Sequence, residues 1–331
     1  MKNLLLLAIL CLISHVGTSQ KIEKVRFKKK KALPVRLFGM AYTTDGQRIL
    51  VVGGGSSNPD YTNGLFMYNP MLDEWLDLSS SAHIPPFRYG QAVYLEEYGS
   101  MALLGGTTPY GTDVGLVADI TTYDLKSYRP RVLGPNPTPS RRPGVAYWKK
   151  KLYFFGGSVS VDMQMSRKAT GKYSRKMYEY DLSTGVIQSL PDLPEAKETD
   201  GGIVDGRLYV FGGYDNQGSR AIHAYDTEDA TWQKIGALDD PVSAYALAQY
   251  QHFFLLVGDY EKPNQLIVFD ARTNTHKAFK LNFRGRHMGA VVLDETLHVF
   301  GGFDPRRGAL RQHWTLNVPR LLKKYFDYER Q

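Results

Sequence analysis

The sequence predicts an all-β fold built from six repeats of one four-stranded unit. A short apolar run that ends in a glycine doublet, or once in Gly-Asp, recurs at intervals of about 45 to 55 residues, which is typical of β-repeat arrays. An aromatic residue and Asn or Asp follow five of the six runs after a loop. Long stretches with the 3.6-residue period of a helix are absent. The doublets are Gly53–Gly54, Gly105–Gly106, Gly156–Gly157, Gly212–Gly213, Gly258–Asp259 and Gly301–Gly302.

Residues 202–236 contain one complete copy of the unit. A first strand enters a tight turn at Asp205–Gly206, a dipeptide that favours two-residue hairpins. The apolar run Leu208–Gly213 is the second strand, and alternation over Ile222–Asp226 predicts the third. Trp232 marks the fourth strand. Each unit is therefore expected to be a sheet of four short antiparallel strands.

Residues 1–19 are interpreted as a secretory signal peptide, and residues 20–331 as a single domain. Lys2 precedes an apolar run that ends at Ile13, and small residues precede the proposed cleavage site. The run is too short for a stable bilayer anchor. Cys11, the only cysteine, lies within it, so the mature chain is expected to lack disulfides. We expect an exported protein, periplasmic or extracellular after cleavage, with no transmembrane anchor.

The combination of a glycine doublet, the pair Tyr225–Asp226 and Trp232 seven residues beyond Tyr225 resembles the Kelch repeat. Six copies cover nearly the whole mature chain. The resemblance implies a six-bladed β-propeller with one four-stranded sheet per blade. It also suggests the bacterial exported type of the family, with distant similarity to the N-acetylneuraminate epimerases.

The strand count predicts how the ring closes. Six first, second and third strands can be identified, but only five fourth strands follow a third strand. The missing one is expected at the N-terminus, because residues 24–30 precede the first blade as a fourth strand precedes each later blade. We expect this segment to pair with Trp314–Leu316 and to close the ring as its outer strand.

The positive charge is concentrated near the N-terminus. The net charge is +8, and residues 20–36 hold eight Lys or Arg and one Glu, hence +7 (8 minus 1). The run Lys28–Lys31 either binds an anionic surface such as acidic glycan, lipopolysaccharide or nucleic acid, or blunts an edge strand against pairing. The second interpretation is favoured. Nucleic acid is not expected as a partner, because no aromatic residues interleave with the run to stack on bases.

No cofactor and no metal ion is expected. Gly171–Lys172 lacks the earlier glycine and the following Ser or Thr of a phosphate-binding loop. The histidines beyond the signal peptide are scattered, so no pair with metal-ligand spacing is visible. Copper-radical oxidases of the galactose oxidase type share the Kelch propeller, but they use a cysteine cross-linked to tyrosine. The mature chain has no cysteine, which argues against that chemistry.

The functional site is expected where the loops are long. The loops that join second to third strands are longer than the turns that join first to second strands. We expect these long loops to surround one mouth of the axial channel. Three arginines enter first strands at nearly the same register, so we expect them to converge there on a carboxylate or sulfate. The alternative is that some of them bond loop carbonyls. The candidate ligand-binding residues are Arg88, Arg142, Arg286, His287, Tyr245, Glu198 and Asp200.

Two classes of function remain open. A monomeric binding module would hold a partner protein or an acidic carbohydrate at the mouth. The alternative is a sugar mutarotase or epimerase of the N-acetylneuraminate type, in which Glu198 or Asp200 acts as acid or base beside Arg142 or Arg286. The enzyme hypothesis rests mainly on analogy of fold. The lack of a catalytic motif favours binding.

Overall fold

The computed structural model describes residues 22–57, 60–160 and 172–328. Six sheets with four antiparallel strands each form the blades, and two short two-stranded hairpins lie in loops. First strands of successive blades contact one another around the axis, and the sixth contacts the first, which closes the ring. The predicted all-β, six-bladed propeller is confirmed. The proposed signal peptide lies outside the described residues.

The first half of the chain contains two short N-terminal strands and blades 1 to 3. The N-terminal strands are β1 (Glu23–Val25) and β2 (Lys28–Lys29). Blade 1 consists of β3 (Ala41–Thr44), β4 (Ile49–Val52), β5 (Leu65–Asn69) and β6 (Glu74–Asp77). Blade 2 consists of β7 (Gln91–Leu95), β8 (Ser100–Leu104), β11 (Asp119–Asp124) and β12 (Pro130–Pro135), with a 3-10 turn at Glu96–Tyr98 and a loop hairpin of β9 (Thr107–Tyr110) and β10 (Asp113–Leu116). Blade 3 consists of β13 (Gly144–Trp148), β14 (Lys151–Phe155), β15 (Met177–Asp181) and β16 (Val186–Leu190).

The second half contains blades 4 to 6 and a C-terminal helix. Blade 4 consists of β17 (Glu198–Val204), β18 (Arg207–Tyr214), β19 (Gly218–Asp226) and β20 (Thr231–Ala237). Blade 5 consists of β21 (Ala246–Tyr250), β22 (Phe253–Val257), β23 (Gln265–Asp270) and β24 (Thr275–Leu281). Blade 6 contains β25 (Gly289–Leu293), β26 (Thr296–Phe300) and β29 (His313–Asn317), with a loop hairpin of β27 (Phe303–Asp304) and β28 (Gly308–Ala309). The helix α1 spans Val318–Tyr325.

Burial changes from the inner to the outer strands of a blade. The second strands lie between neighbouring blades on both faces, so the apolar runs Ile49–Val52 and Phe253–Val257 are buried throughout. The outer strand Glu74–Asp77 has one half-buried residue, Trp75, and is otherwise exposed. A strand covered on both faces needs a continuous apolar run rather than alternation. This is why the run before each doublet is the clearest signal in the sequence.

The glycine doublets join each blade to the next one. At five of them, the second glycine donates its N–H to a carbonyl of the following blade, as Gly106 does to Ser140 (2.8 Å). Gly106 has a φ of +93°, and a Cβ there would lie 2.7 Å from the carbonyl oxygen of Arg88. Only glycine fits such a position without strain. In blade 5, Asp259 replaces the second glycine, and its carboxylate instead accepts the N–H groups of Ser243, Glu261 and Lys262.

The N-terminus supplies the outer strand of blade 6, as predicted, but the segment is divided. β2 pairs antiparallel with β29, with Lys28 opposite Thr315. β1 pairs in parallel with β24 of blade 5, so the expected single strand over residues 24–30 is wrong in extent. The break lies at Phe27, whose backbone makes two hydrogen bonds with the Asn282 side chain (2.9 and 3.1 Å) instead of with a strand. The N-terminal segment therefore links two blades.

The helix α1 covers the region where blades 5 and 6 meet. Asn317 caps it by accepting the N–H of Arg320, and a proline lies in its first turn, as is common for helix starts. Leu321 and Leu322 are buried in the cluster that also contains Phe27. The helix and the N-terminal strands thus stabilise the same side of the ring.

Candidate functional site

In each blade, one position at the start of the first strand lies beside the residue that follows the doublet. Arg88, Arg141 and Arg286 occupy it in blades 2, 3 and 6, where they bridge to Thr107, Ser158 and Phe303. Arg142 lies one residue further along the chain. The arginine that shares a register with Arg88 and Arg286 is therefore Arg141, and not Arg142 as expected. The equivalent positions in the six blades are Phe38, Arg88, Arg141, Glu198, Ser243 and Arg286.

The next residue has a left-handed backbone in five blades, and we call these five the collar. Their φ values are +63°, +60°, +52°, +57° and +51°. Each of four members donates its backbone N–H to the carbonyl of the member in the preceding blade. The N···O distances are 2.8, 3.1, 2.6 and 2.8 Å for the N–H groups of His287, Gly39, Tyr89 and Arg142 in turn. Non-glycine residues adopt this conformation only where the surroundings hold it. The collar consists of Gly39, Tyr89, Arg142, Ala244 and His287.

Blade 4 interrupts the collar, because its first strand has one residue fewer between two equivalent pairs with the second strand. Glu198 pairs with Tyr214 and Asp200 with Phe211, two residues apart, with a register shift between them. In blade 3 the corresponding pairs start at Arg141 and Gly144, three residues apart. Blade 4 therefore has no left-handed residue at this level. Its first strand is continuous here and begins with Glu198, whose carboxylate lies where the collar is interrupted.

Two arginines of blade 3 share the Glu198 carboxylate. Arg141 donates from Nε and Nη2 to Oε1 at 3.0 and 2.7 Å. Arg142 Nε lies 3.5 Å from Oε2. The three side chains are 10 to 20% exposed. The cluster thus holds two guanidinium groups on one carboxylate.

Arg142 also reaches His287, which belongs to blade 6. The two side chains hydrogen bond through Arg142 Nη1 and His287 Nδ1. Because a guanidinium can only donate, Nδ1 must be the unprotonated acceptor. Burial and the neighbouring Arg142 and Arg286 charges hold the pKa of His287 well below its usual range. The imidazole is neutral, so it adds no charge to the cluster.

Arg142 lies at the boundary between a wide mouth and a narrow neck. The mouth cleft has a volume of about 770 Å³. The neck, of about 50 Å³, continues along the axis, and a further cavity of about 270 Å³ lies among the first strands beyond it. Arg142, Glu198 and His287 line both the mouth cleft and the neck. The mouth cleft is also lined by Tyr89, Arg141, Tyr214 and Tyr260.

Asp200 and Tyr245 line the neck and not the mouth cleft. Asp200 accepts hydrogen bonds from the Gly201 N–H (2.9 Å) and the Gln91 amide (3.4 Å). Burial raises the pKa of Asp200 to about 7. The Tyr245 hydroxyl donates to the Phe211 carbonyl. The neck is too small for a sugar, and Asp200 also lines the cavity of about 270 Å³ beyond it.

Arg88 and Arg286 lie behind tyrosines. Arg88 is fully buried, with its guanidinium 4.5 Å from the Tyr61 ring centre. The Arg286 guanidinium lies 3.8 Å from the ring centre of Tyr260. Both distances are typical of cation–π contacts. Neither arginine lines the mouth cleft.

Sequence reasoning missed Arg141. A signal was present, since Arg141 precedes Gly144 by three residues, as Arg88 precedes Gln91 and Arg286 precedes Gly289. Two tyrosines of the mouth cleft, Tyr214 and Tyr260, directly follow a doublet, so the repeat could have located them as well. In the described part of the chain, no group of three or more His, Cys, Asp or Glu residues could hold a metal ion.

Comparison with known proteins agrees with this architecture. The family model described as the KLHDC2/KLHL20/DRC7 Kelch-repeats domain matches residues 39–260. The chain belongs to this Kelch-repeat family. It is 24% identical to Kelch domain-containing protein 10 of Xenopus laevis over 94% of the chain and 83% of that protein. It is 25% identical to the Xenopus tropicalis protein of the same name over 96% of the chain and 86% of that protein. Beta-scruin of Limulus polyphemus is 23% identical over 67% of the chain and 27% of that protein.

Kelch propellers generally serve as interaction modules that bind protein partners. The Xenopus and Limulus relatives are eukaryotic, so they do not support the expected bacterial exported type or the similarity to N-acetylneuraminate epimerases. Within the residues that the structure describes, no helix is both long and apolar enough to cross a membrane.

Proposed function

We propose that this Kelch propeller is a binding module that holds an acidic segment of a partner protein in the mouth cleft. The observation that carries the proposal is the pair of guanidinium groups at the mouth cleft, where Arg141 and Arg142 line the wall and both contact Glu198. A carboxylate from a partner would meet two planar hydrogen-bond donors there. Planar guanidinium groups bind carboxylates through paired, charge-assisted hydrogen bonds.

The dimensions of the mouth cleft support a peptide ligand. A volume of about 770 Å³ lies in the range of sites that enclose several side chains. Tyr214 and Tyr260 provide rigid aromatic walls, and Asn216 and Gln217 add amide groups that donate and accept. Tyrosine is enriched at protein interfaces because it combines apolar area with a polar end.

The test is selection of a random peptide library on the immobilised propeller, followed by affinity measurements. Selected peptides should contain Asp or Glu, and replacement of that residue by Asn or Gln should weaken binding. Arg142→Gln should lower affinity by more than tenfold, since losing one partner of a buried charge pair costs roughly 2 to 5 kcal/mol. Lys29→Gln on β2 is the control, because it removes the same charge far from the cleft. Selected peptides without acidic residues, or a larger effect of the control, would refute the proposal.

An acidic carbohydrate is the second candidate ligand. The tyrosine walls of the mouth cleft favour it, because aromatic rings offer flat apolar faces to a sugar. Titration with sialylated and neutral oligosaccharides separates this possibility from the peptide. Binding of the sialylated sugar at affinities above the best acidic peptide would establish the carbohydrate as the ligand.

The epimerase alternative has weaker support from the geometry. An acid and a base must reach the bound sugar by hydrogen bonds. Asp200 does not line the mouth cleft but lies between the neck of about 50 Å³ and the cavity of about 270 Å³ beyond it, and Glu198 is held by two arginines. This arrangement favours binding over catalysis. An anomer-exchange assay in which the protein speeds the reaction, and Asp200→Asn abolishes that effect, would reverse the preference.

Export also remains a proposal, supported by the sequence of residues 1–19. Cleavage near Ser19 would release the propeller with the basic segment that contains β2 at its new N-terminus. Mass spectrometry of the protein from its native cells distinguishes a chain that starts at Gln20 from one that retains Met1.

A further inference from the structure

A second cleft lies on blade 6, apart from the mouth. We call it the blade-6 cleft, and its volume is about 370 Å³. Its walls are the segment that follows β2 and the chain that leads into β29. None of its lining residues lines the mouth cleft. Five cationic side chains line it: Lys29, Lys30, Arg36, Arg307 and Arg311.

The charge of the blade-6 cleft has one sign. No acidic residue of the described chain lines it. Lys30 has a counter-ion outside the cleft, since its Nζ lies 3.6 Å from Asp73. Lys29, Arg36, Arg307 and Arg311 form no ion pair with any residue that the structure describes. Four uncompensated cations around one concave surface produce a positive potential that attracts anions.

The backbone that carries these cations is fixed. Hydrogen bonds from the N–H groups of Lys30 and Leu33 to the carbonyls of His313 and Arg311 (3.0 and 2.9 Å) hold the two walls together. The buried Asp304 accepts the Arg306 N–H through its side chain and the Arg307 N–H through its carbonyl. The turn that presents Arg307 is therefore preorganised.

Two further contacts shape the floor and rim. Arg36 donates from Nη1 to the Ala309 carbonyl (3.1 Å), which ties it to β28. Trp314 stacks on Phe283 with ring centres 5.1 Å apart, and its indole N–H bonds Gln312. The cations thus surround a rigid wall, so binding an anion requires little ordering of the backbone.

We propose that the blade-6 cleft binds a ligand with two neighbouring phosphate groups. A carboxylate brings one negative charge, whereas a phosphate monoester brings about 1.5 to 2 at pH 7. Two phosphates therefore match four cations within one small cleft, which acidic side chains would not achieve at that density. Three of the four cations are arginines, whose forks fit phosphate oxygens in pairs.

The test uses inorganic tripolyphosphate and calorimetry. The wild-type chain should bind one tripolyphosphate, and affinity should fall steeply as salt is raised. Arg307→Gln and Arg311→Gln should each weaken binding roughly tenfold or more, since each removes charged hydrogen bonds. Arg306→Gln is the matched control, because Arg306 shares the turn but does not line the cleft. Melting temperatures of the three variants without ligand should be equal.

A second arm identifies the source of the phosphates. Vesicles of phosphatidylcholine with phosphatidylinositol 4,5-bisphosphate, whose headgroup carries two neighbouring phosphates, should bind the wild type if the ligand is a lipid headgroup, and tripolyphosphate should then compete. Binding of tripolyphosphate alone indicates a soluble ligand. No saturable binding in either arm, or equal losses in Arg306→Gln and Arg307→Gln, would overturn the proposal.

Discussion

The mouth and the closing seam both bury polar side chains, but they differ in charge. At the mouth, two arginines share Glu198 in a cluster of charged side chains. The seam is the contact of residues 30–31 with blades 6 and 1. There, His298 and His313 form a hydrogen bond of 2.9 Å, and His313 Nδ1 donates to the Lys31 carbonyl. Charged side chains thus lie where a ligand can enter, whereas the buried part of the seam is a neutral histidine pair beside the exposed Lys30–Asp73 ion pair.

The tautomers of the seam follow from this chain of bonds. The Lys31 carbonyl can only accept, so His313 carries its proton on Nδ1 and accepts through Nε2 from His298 Nδ1–H. Burial lowers the pKa of His298 to about 3 and that of His313 to about 4. Both rings are neutral at pH 7. Protonation of His313 would place a proton on its Nε2, which would then face the Nδ1–H of His298.

The largest effect is expected where the N-terminal segment is anchored by apolar residues. Val25 and Phe27 are 7% and 3% exposed, and both belong to the cluster with α1. Replacing both by serine should lower the free energy of unfolding by roughly 3 to 6 kcal/mol, measured by urea denaturation. Replacing the exposed Lys24 and Lys28 by serine is the control and should change it little. Similar losses in the two double variants would mean that the segment does not close the ring through its buried face.

The second effect tests the charge balance of the mouth. Glu198→Gln leaves Arg141 and Arg142 close together without the carboxylate that they share. Removing one partner of a buried ion pair costs about 3 to 5 kcal/mol, and partial exposure places our expectation near the lower value. Asp192→Asn is the control, because the Lys176–Asp192 pair is exposed. Equal stability of Glu198→Gln and the wild type would show that the two arginines do not need Glu198 in the folded state.

The third effect is the pH dependence of the seam. Both histidines have folded pKa values below that of the unfolded chain, near 6.5, so their stabilisation is present above pH 6.5 and is lost as pH falls towards 4. We expect about 1 to 2 kcal/mol less stability per pH unit between pH 6 and 5. Lys30 and Asp73 also face the pair. Asp73 titrates below this window, because its pKa is lowered in the folded chain.

His298→Asn isolates the histidine contribution. The asparagine amide can donate in place of Nδ1–H, but it does not titrate. Between pH 6 and pH 5, urea denaturation should show a loss of stability per pH unit that is about 1 kcal/mol smaller than in the wild type, which is the contribution of one histidine. Other titrating groups, such as His287 and Asp200, contribute equally to both proteins. An unchanged slope would assign the pH dependence to groups outside the seam.

The repeat could be predicted from sequence because each blade repeats the same physical requirement. A second strand buried on both faces needs an apolar run, and the close approach of Gly105 to Ser140 and Pro143 of the next blade leaves no room for a Cβ. The division of the N-terminal segment could not be predicted. It depends on the side chain of Asn282, which is remote in sequence from Phe27.

The mouth was predicted only in part. The strand entries pointed to Arg142, Glu198 and His287, which line the mouth cleft. Arg88 and Arg286 carry the same sequence signal but are covered by tyrosines from loops. Loop conformation decides which arginines reach the cleft, and the loops follow no repeat. The binding role of the predicted residues remains a prediction.

The smallest effect compares two equivalent tryptophans. Trp75 donates its indole N–H to the Lys31 carbonyl at the seam, and Trp232 donates to the Pro191 carbonyl between blades 3 and 4, each at 3.0 Å. Replacing either by phenylalanine should cost about 0.5 to 1.5 kcal/mol for the hydrogen bond. The Lys31 carbonyl keeps His313 as a donor, so Trp75→Phe should cost less than Trp232→Phe in urea denaturation at pH 7. Near pH 4 the difference in cost between the two variants should narrow. Protonation of His313 disrupts its contact with His298, so the imidazole that donates to the Lys31 carbonyl is held less firmly. A larger cost for Trp75→Phe at pH 7 would identify Trp75, rather than the histidine pair, as the main polar attachment of the closing seam.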